Sequence, residues 1–355
     1  MRSRVETGAA RFGGRAAGAA RLGLGAAVAA RPGLGAAVAA TAATLAGCSG
    51  GALDPAGDGA ARTAQLFWGM TIAAAVIWVL VVGLAVYAAR ARAVQEVAGV
   101  SRWLIMGGGI AVPTVLLGGL LAYALWMMAD LRSPASGELR ISVTGEQWWW
   151  RVRYWPAGSE RPIESANEVR LPVGRRIELE MASADVIHSF WIAPLGGKVD
   201  MIPGRINRMV LEPTETGTFR GVCAEYCGAS HALMAFGVQV MEPAAFDAWL
   251  QREAGTAAAP EQQAARAGQD AFLSAGCGSC HTIRGTPATG VIGPDLTHVG
   301  SRLTLAAGIL PNDVDAFVRW ISATDEVKPR ARMPAFGALG EKDLNAIAVY
   351  LESLQ

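Results

Sequence analysis

Five cysteines and four histidines are few for 355 residues, and most of them fall in two short stretches. The first reads Cys223-Ala-Glu225-Tyr-Cys227-Gly-Ala-Ser-His231-Ala-Leu-Met234, with His188 thirty-five residues upstream of its first cysteine. Two thiols, two imidazoles and a thioether make a soft donor set that suits copper and not magnesium or calcium. A pair of thiolates can bridge two metal ions, which spreads a one-electron change over both with little change in geometry. A Cys₂His₂ count also fits structural zinc, and an oxidising compartment would allow Cys223 and Cys227 to join as a disulfide. Met234 tips the balance to copper, because zinc sites are built from thiolate, imidazole and carboxylate. The second stretch is Cys277-Gly-Ser-Cys280-His281. C-x-x-C-H is the attachment signature of c-type haem, although C-x-x-C alone would serve a redox or zinc site. Met333, in Arg332-Met-Pro334, is the only methionine after His281, and Met/His ligation raises the potential of a haem iron. His298 competes for the same axial position, with a surface or supporting role the stronger assignment.

The elements that must position these residues change character along the chain. Leu139-Ile141-Val143, Ile177-Leu179-Met181 and Gly237–Val240 alternate with period two between Gly/Pro turns, which predicts a small β-sandwich or barrel. Pro243 then opens a short helix with Phe246, Trp249 and Leu250 on one face. Ala254–Ala265 has no periodic apolar face and contains Pro260, and reads as a linker. Beyond it the period is helical. Asn312 is the expected N-cap of a helix facing inward through Val314, Phe317, Val318 and Ile321, and Leu344, Ile347, Ala348 and Leu351 form a second stripe. About ninety residues support only a small core, so a bound cofactor would help this part fold.

Upstream, Leu66–Ala89 and Trp103–Ala129 carry no charge, and each exceeds the roughly 20 residues that cross a bilayer. Pro113 falls inside the second run, where a neighbouring helix or a kink would accommodate it. Arg90, Arg92 and Arg102 against Glu96 place the short connection in the cytoplasm, so both ends face outward. Residues 1–47, with six arginines, an Ala/Gly/Val run and the ending Leu45-Ala46-Gly47-Cys48, read as an export signal. That ending resembles a bacterial lipobox with Cys48 as the lipidated residue. The near-copies RLGLGAAVAA and RPGLGAAVAA within it are low complexity and not a repeat fold. Composition agrees: 52% of residues are apolar, 17% are charged and mean hydropathy is +0.29, which excludes wholesale disorder and favours membrane segments. A net charge of +1 gives no basic field for nucleic acid.

Several separated motifs, in order, give a specific resemblance. Asp185-Val-Ile-His188-Ser-Phe, Lys198-Val-Asp200, Ile202-Pro-Gly-Arg205 and CAEYCGASHALM are similar to the CuA domain of cytochrome c oxidase subunit II. Gly145-Glu-Gln147-Trp148-Trp149-Trp150 is similar to that family's aromatic segment, and the likeness spans residues 66–242 with the two-helix hairpin. It implies a cupredoxin-like β-sandwich with a dinuclear copper centre (CuA). The implied ligands are His188, Cys223, Cys227, His231, Met234 and the backbone carbonyl of Glu225. It further implies that electrons enter at Trp148 on the surface over copper, and that the Glu225 carboxylate reaches a magnesium shared with subunit I. Ordinary strand packing is the competing explanation for at least one of the three tryptophans. One position departs: where the family often has a Glu three residues before the Trp opening the second helix, this chain has Val100. Glu96 is the nearest substitute, and no proton-uptake role is assigned. Residues 265–355 resemble cytochrome c, with Gly293-Pro294-Asp-Leu296 similar to the segment whose proline carbonyl accepts the proximal histidine N–H. Such a bond fixes ring orientation and basicity.

The expected fold class is thus a multidomain membrane protein: a transmembrane hairpin, a cupredoxin-like β-sandwich and an all-α class I cytochrome c domain. The expected boundaries are a leader at 1–47, an outer segment at 48–65, the hairpin at 66–129, the CuA domain at 130–253, a linker at 254–264 and the cytochrome c domain at 265–355. Both resemblances together imply subunit II of a caa-type haem–copper oxidase in a bacterial inner membrane, with both modules on the outer side. Electrons would pass from a soluble cytochrome c or a membrane complex to haem c, then to copper, then to subunit I, where oxygen is reduced. A tethered haem raises the local donor concentration without new contacts. A quinol-oxidase subunit II lacks the copper ligands, and nothing here supplies the second copper cluster of a nitrous-oxide reductase. The alternative from a different class is an exported zinc-binding or adaptor lipoprotein.

Overall fold

The computed structural model describes residues 51–90, 98–131 and 139–355. The expected leader at 1–47, Cys48 and Glu96 lie outside the described residues. Ten strands build two five-stranded sheets. They are β1 (Leu139–Glu146), β2 (Trp149–Pro156), β3 (Ile163–Ala166), β4 (Glu168–Pro172), β5 (Ile177–Ser183), β6 (His188–Trp191), β7 (Val199–Met201), β8 (Asn207–Leu211), β9 (Gly217–Cys223) and β10 (Ala235–Met241). One sheet runs β3-β2-β1-β5-β8 and the other β4-β10-β9-β6-β7. Pairing is antiparallel except for β1 with β5 and β10 with β4, which makes both sheets mixed.

The alternation seen in sequence sets what is buried. Ile141 and Val143 of β1 and Ile177, Leu179 and Met181 of β5 point into the core, because successive strand side chains face opposite sides. Trp150, Phe190 and Phe236 pack edge-on or stacked between the sheets. Trp150 is therefore a core residue. Pro243–Glu253 is the expected helix, and it lays Phe246 and Trp249 on Tyr154 of β2. In β4 and β10 the alternation is lost: all five residues of β4 are buried, and so are five of the seven in β10. Their outward face is covered by the C-terminal region.

That region is helical. Gln263–Ser274 and Glu341–Glu352 pack together, with the rings of Phe272 and Tyr350 6.0 Å apart. The first of these helices starts inside the stretch read as linker and buries Ala265, since a single small apolar residue gives too weak a periodic signal to mark it. Val314–Ser322 is capped by Asp313, whose carboxylate accepts the Ala316 N–H, and not by Asn312. The Asn312 amide donates instead to the carbonyls of Val299, Gly300 and Arg302, which a charged carboxylate could not do.

Among the described residues, two helical stretches are long and apolar enough to cross a membrane, Asp58–Arg90 and Val100–Ala129. The first begins eight residues before its apolar run, held by Ala56 N–H to Pro194 O and Asp58 N–H to Glu212 O on the sandwich. In the second, the backbone widens to π-helix over Leu104–Ala111 and resumes as Val112–Leu131, with Pro113 at its second position. Proline lacks the N–H that an uninterrupted α-helix would require there, and a wide turn before it relieves the clash with the preceding carbonyls.

Candidate functional site

The register of the second sheet brings the first donor set together. Phe190 of β6 pairs with Cys223 of β9, so His188 at the start of β6 lies beside the end of β9. The chain then leaves β9 at Cys223 and enters β10 at Ala235, and the intervening loop carries Glu225, Cys227, His231 and Met234. A Cys223 N–H to Met234 O bond of 2.9 Å closes the base of that loop. Four of the donors, His188, Cys223, Cys227 and Met234, are buried, and His231 is partly exposed.

Cys223 Sγ and Cys227 Sγ stand 3.8 Å apart, far beyond the roughly 2.05 Å of a disulfide; both are free thiols. His188 Nδ1 is 3.9 Å from Cys223 Sγ, and His231 Nδ1 is 3.6 Å from Cys227 Sγ. The Glu225 carbonyl is 3.2 Å from Cys223 Sγ, and Met234 Sδ is 3.8 Å from Cys227 Sγ. Each sulfur thus has its own imidazole and one further donor. Six donors in two such halves exceed the four that a tetrahedral zinc ion takes.

The contact with Cys227, and after it the one with His188, pull the Cys223 thiol well below the usual thiol range against the opposing effect of burial. The same contact, together with burial, pushes Cys227 up. Metal binding to such a pair requires the thiolate form and would displace the protons that the thiols carry. Burial disfavours the His188 imidazolium, but hydrogen bonds to Cys223 and Asp185 outweigh it and raise its pKa. Burial works the other way on Asp185, where bonds from His188 and from the N–H groups of Gln147 and Val186 win and lower its pKa. The Asp185 carboxylate is 2.9 Å from His188 Nε2, which fixes the ring with Nδ1 toward sulfur. Behind that ring lies Gly145, where a Cβ would sit 2.8 Å from the imidazole.

Gln147 Nε2 and Trp148 Nε1 both donate to the Cys227 carbonyl, at 2.8 and 3.0 Å. Trp148 differs from its expected place on the surface: it is only 7% exposed. The C-terminal region covers it, and its side chain lines a cleft shared with Cys277, Cys280, His281 and Met333. A stand-alone sandwich would leave this tryptophan open, which is why the sequence motif suggested exposure. Asp185 and Gln147 both lay in the quoted motifs without an assigned role. Their signal is their spacing, three residues before His188 and one before Trp148, and only the fold showed its use.

The cleft is otherwise apolar, walled by Phe272, Leu296, Leu305, Trp320 and Ile347 among others. The 3₁₀ turn Cys277–Ser279 puts both thiols and His281 on one short arc. His281 Nδ1 is 2.8 Å from the Pro294 carbonyl, so Nδ1–H donates and Nε2 keeps its lone pair. Burial lowers the His281 pKa and holds the ring neutral, the form that ligates metal. Gly293 packs flat on this ring, where a Cβ would come within 2.5 Å of it. Arg302 Nε and Thr304 Oγ1 are buried at the cleft without a hydrogen-bond partner. An apolar hollow with two unsatisfied donors at its wall suits a flat, largely apolar group carrying acidic side arms. His298 is turned away from the cleft, with Nδ1 2.8 Å from the Gln355 carbonyl. It is buried and not a surface residue.

Comparisons with known proteins agree in position. The family described as "Cytochrome C oxidase subunit II, periplasmic domain" matches residues 155–241, and the family "Cytochrome c" matches residues 265–355. A cytochrome c oxidase subunit 2 from Alkalihalophilus pseudofirmus is 36% identical over 249 residues, covering 69% of each chain. One from Bacillus sp. (strain PS3) is 30% identical over 256 residues, covering 69% of this chain and 70% of its own. Among solved structures, the periplasmic domain of subunit II of cytochrome oxidase from Bradyrhizobium japonicum is 32% identical. It covers 34% of this chain and 95% of its own, with a TM-score of 0.31.

Proposed function

The chain belongs to the cytochrome c oxidase subunit II family and carries a C-terminal cytochrome c domain, and from that premise we propose that it is the electron-transfer subunit of a terminal oxidase. Cys277 and Cys280 would hold haem c covalently, and His281 and Met333 would hold its iron. His188, Cys223, Cys227, His231, Met234 and the Glu225 carbonyl would hold a dinuclear copper A centre. When bound, these groups would supply one-electron redox chemistry, with which the chain would relay electrons from an external donor to subunit I, where oxygen would be reduced to water. One observation carries the reading: two thiols 3.8 Å apart, each with its own imidazole.

The chain's own residues do the positioning. The Pro294 carbonyl holds the His281 Nδ1–H and leaves Nε2 for the iron. Asp185 orients His188, while Gln147 and Trp148 pin the Cys227 carbonyl. Arg302 and Thr304 offer donors to the haem carboxylates. Trp148, between the copper ligands and the haem cleft, lies where electrons would enter the copper site. The exposed apolar flanks of the membrane helices, Leu80, Trp78, Leu117 and Trp126 among them, offer surface for subunit I and the other oxidase subunits. The basic connection between those helices would face the cytoplasm and both redox domains the outer side of a bacterial membrane. On resemblance alone, the Glu225 carboxylate would meet a magnesium shared with subunit I, and Cys48 would be lipidated after removal of 1–47.

The full chain, expressed in a host that exports proteins and attaches haem, tests this. Covalent haem on a denaturing gel and a mixed-valence copper EPR signal are expected. Stoichiometric zinc with no haem stain would overturn the proposal and leave the exported zinc or adaptor lipoprotein.

A further inference from the structure

β4 carries a charged pair where a sheet surface would ordinarily meet water. Val169 and Leu171 face the sandwich core, so Glu168 and Arg170, at alternate positions, face outward. Both are nonetheless buried, at 4% and 8% exposure. What covers them is the cytochrome c domain's segment 301–308. The Glu168 carboxylate is ion-paired with Arg170 Nε and also accepts the Leu303 N–H at 2.6 Å. Arg170 Nη2 donates to the Ser301 carbonyl at 2.9 Å, and its guanidinium lies over the Trp249 ring at 5.0 Å. Further along the same segment, the Ala307 carbonyl accepts the Ala235 N–H at 3.0 Å and the Gly308 carbonyl accepts from Arg220 at 3.1 Å. Ala235 is the residue directly after Met234. A buried ion pair is retained only where its remaining hydrogen-bonding groups are satisfied, and here the cytochrome c backbone satisfies them.

We propose that Glu168 and Arg170 are positioning residues, which latch the cytochrome c domain in one fixed pose over Trp148. The inference rests on the electron-relay reading for its purpose, but the latch itself stands on contacts within this chain. A domain tethered only by the linker after Glu253 would sample many distances. A domain held at 301–308 keeps its cleft against Trp148 and confines an external donor to the outer surface of the cytochrome c domain.

The test uses the assembled, detergent-solubilised oxidase with E168Q/R170Q, which removes both charges together and leaves no buried ion unpaired. R170K is the second variant: it keeps the charge opposite Glu168, but its single ammonium cannot serve both Glu168 and the Ser301 carbonyl. Amide hydrogen exchange is read first, because it needs no metal. Exchange at 301–308 and at Ala235–Gly237 should rise at least ten-fold in the double variant and less in R170K, while β1 and β5 stay as protected as before. Pulsed EPR between oxidised haem and copper should then show a narrow distance distribution that broadens in the same order. Unchanged exchange at 301–308, or a rise spread equally through β1 and β5, overturns the latch. So does a distance distribution that is already broad in the unaltered protein. A missing copper signal would count against the relay reading alone, and the exchange result would still decide the latch.

Discussion

The two proposed redox sites of this chain are built in opposite ways. The proposed copper cluster draws on strands and a loop nearly fifty residues apart, yet its donors are already in contact, held by sheet register, by the Asp185 carboxylate that accepts from His188 and by hydrogen bonds from Gln147 and Trp148. The haem site takes three of its four attachment and ligand residues from one pentapeptide, yet what surrounds them is a hollow. A sandwich core closed by Trp150, Phe190 and Phe236 does not need its metal in order to fold. A small helical domain with a cleft at its centre should need its proposed cofactor, because unfilled apolar walls forfeit their contacts. Pre-organisation thus comes from the fold in one site and from the cofactor in the other.

The largest effect should separate the two directly. Cys277→Ser/Cys280→Ser leaves the cleft unfilled, and a hollow of about 240 Å³ at about 24 cal/mol per Å³ costs about 6 kcal/mol. That is comparable to the whole stability of a domain, roughly 5–15 kcal/mol. Residues 265–355 should lose protease resistance while the sandwich keeps its own; equal survival of both would break the comparison. Cys223→Ser comes next. Its copper signal should vanish, but the metal-free sandwich should lose only about 1 kcal/mol in chemical denaturation, the scale of one hydrogen bond. A sandwich that fails to fold without Cys223 would mean that the copper site too depends on its metal. Met333→Ala keeps haem covalently attached and lowers its midpoint potential, by a sizeable part of the roughly 0.8 V that axial ligands span; redox titration reads it. An unchanged potential would remove Met333 from the iron. Smallest is Gln147→Leu, where Trp148 still holds the Cys227 carbonyl. We expect a cost of about 0.5–1.5 kcal/mol with the copper EPR shape retained.

Particular residues show how far the sequence reaches. The C-x-x-C-H pentapeptide, the loop from Cys223 to Met234 and the two uncharged runs are local patterns, readable because spacing along the chain is itself the chemistry or the length requirement. Period-two stretches marked β1, β5 and β10 correctly, since one of their faces must be apolar. The cap at Asp313 was missed in favour of its neighbour, because either side chain caps a helix and only the packing of 299–302 against Asn312 decides between them. The start of the helix at Gln263 was hidden by a run of alanines and glutamines with little periodic contrast.

By itself, then, the amino-acid order determined the donor types, the order of the modules, the spanning segments and the family resemblance, because each depends on residues near one another in the chain or on motifs met in sequence. Tertiary structure alone decided that Trp148 is covered, that His298 points to the C-terminus, that Asp185 and Gln147 hold His188 and the Cys227 carbonyl, and that β4 is buried on both faces. Apart from Asp185, which lies three residues from His188, those are contacts between segments tens to more than a hundred residues apart. No local pattern encodes which surface of one domain will meet another, since that depends on shape and on hydrogen-bonding groups that come together only once both have folded.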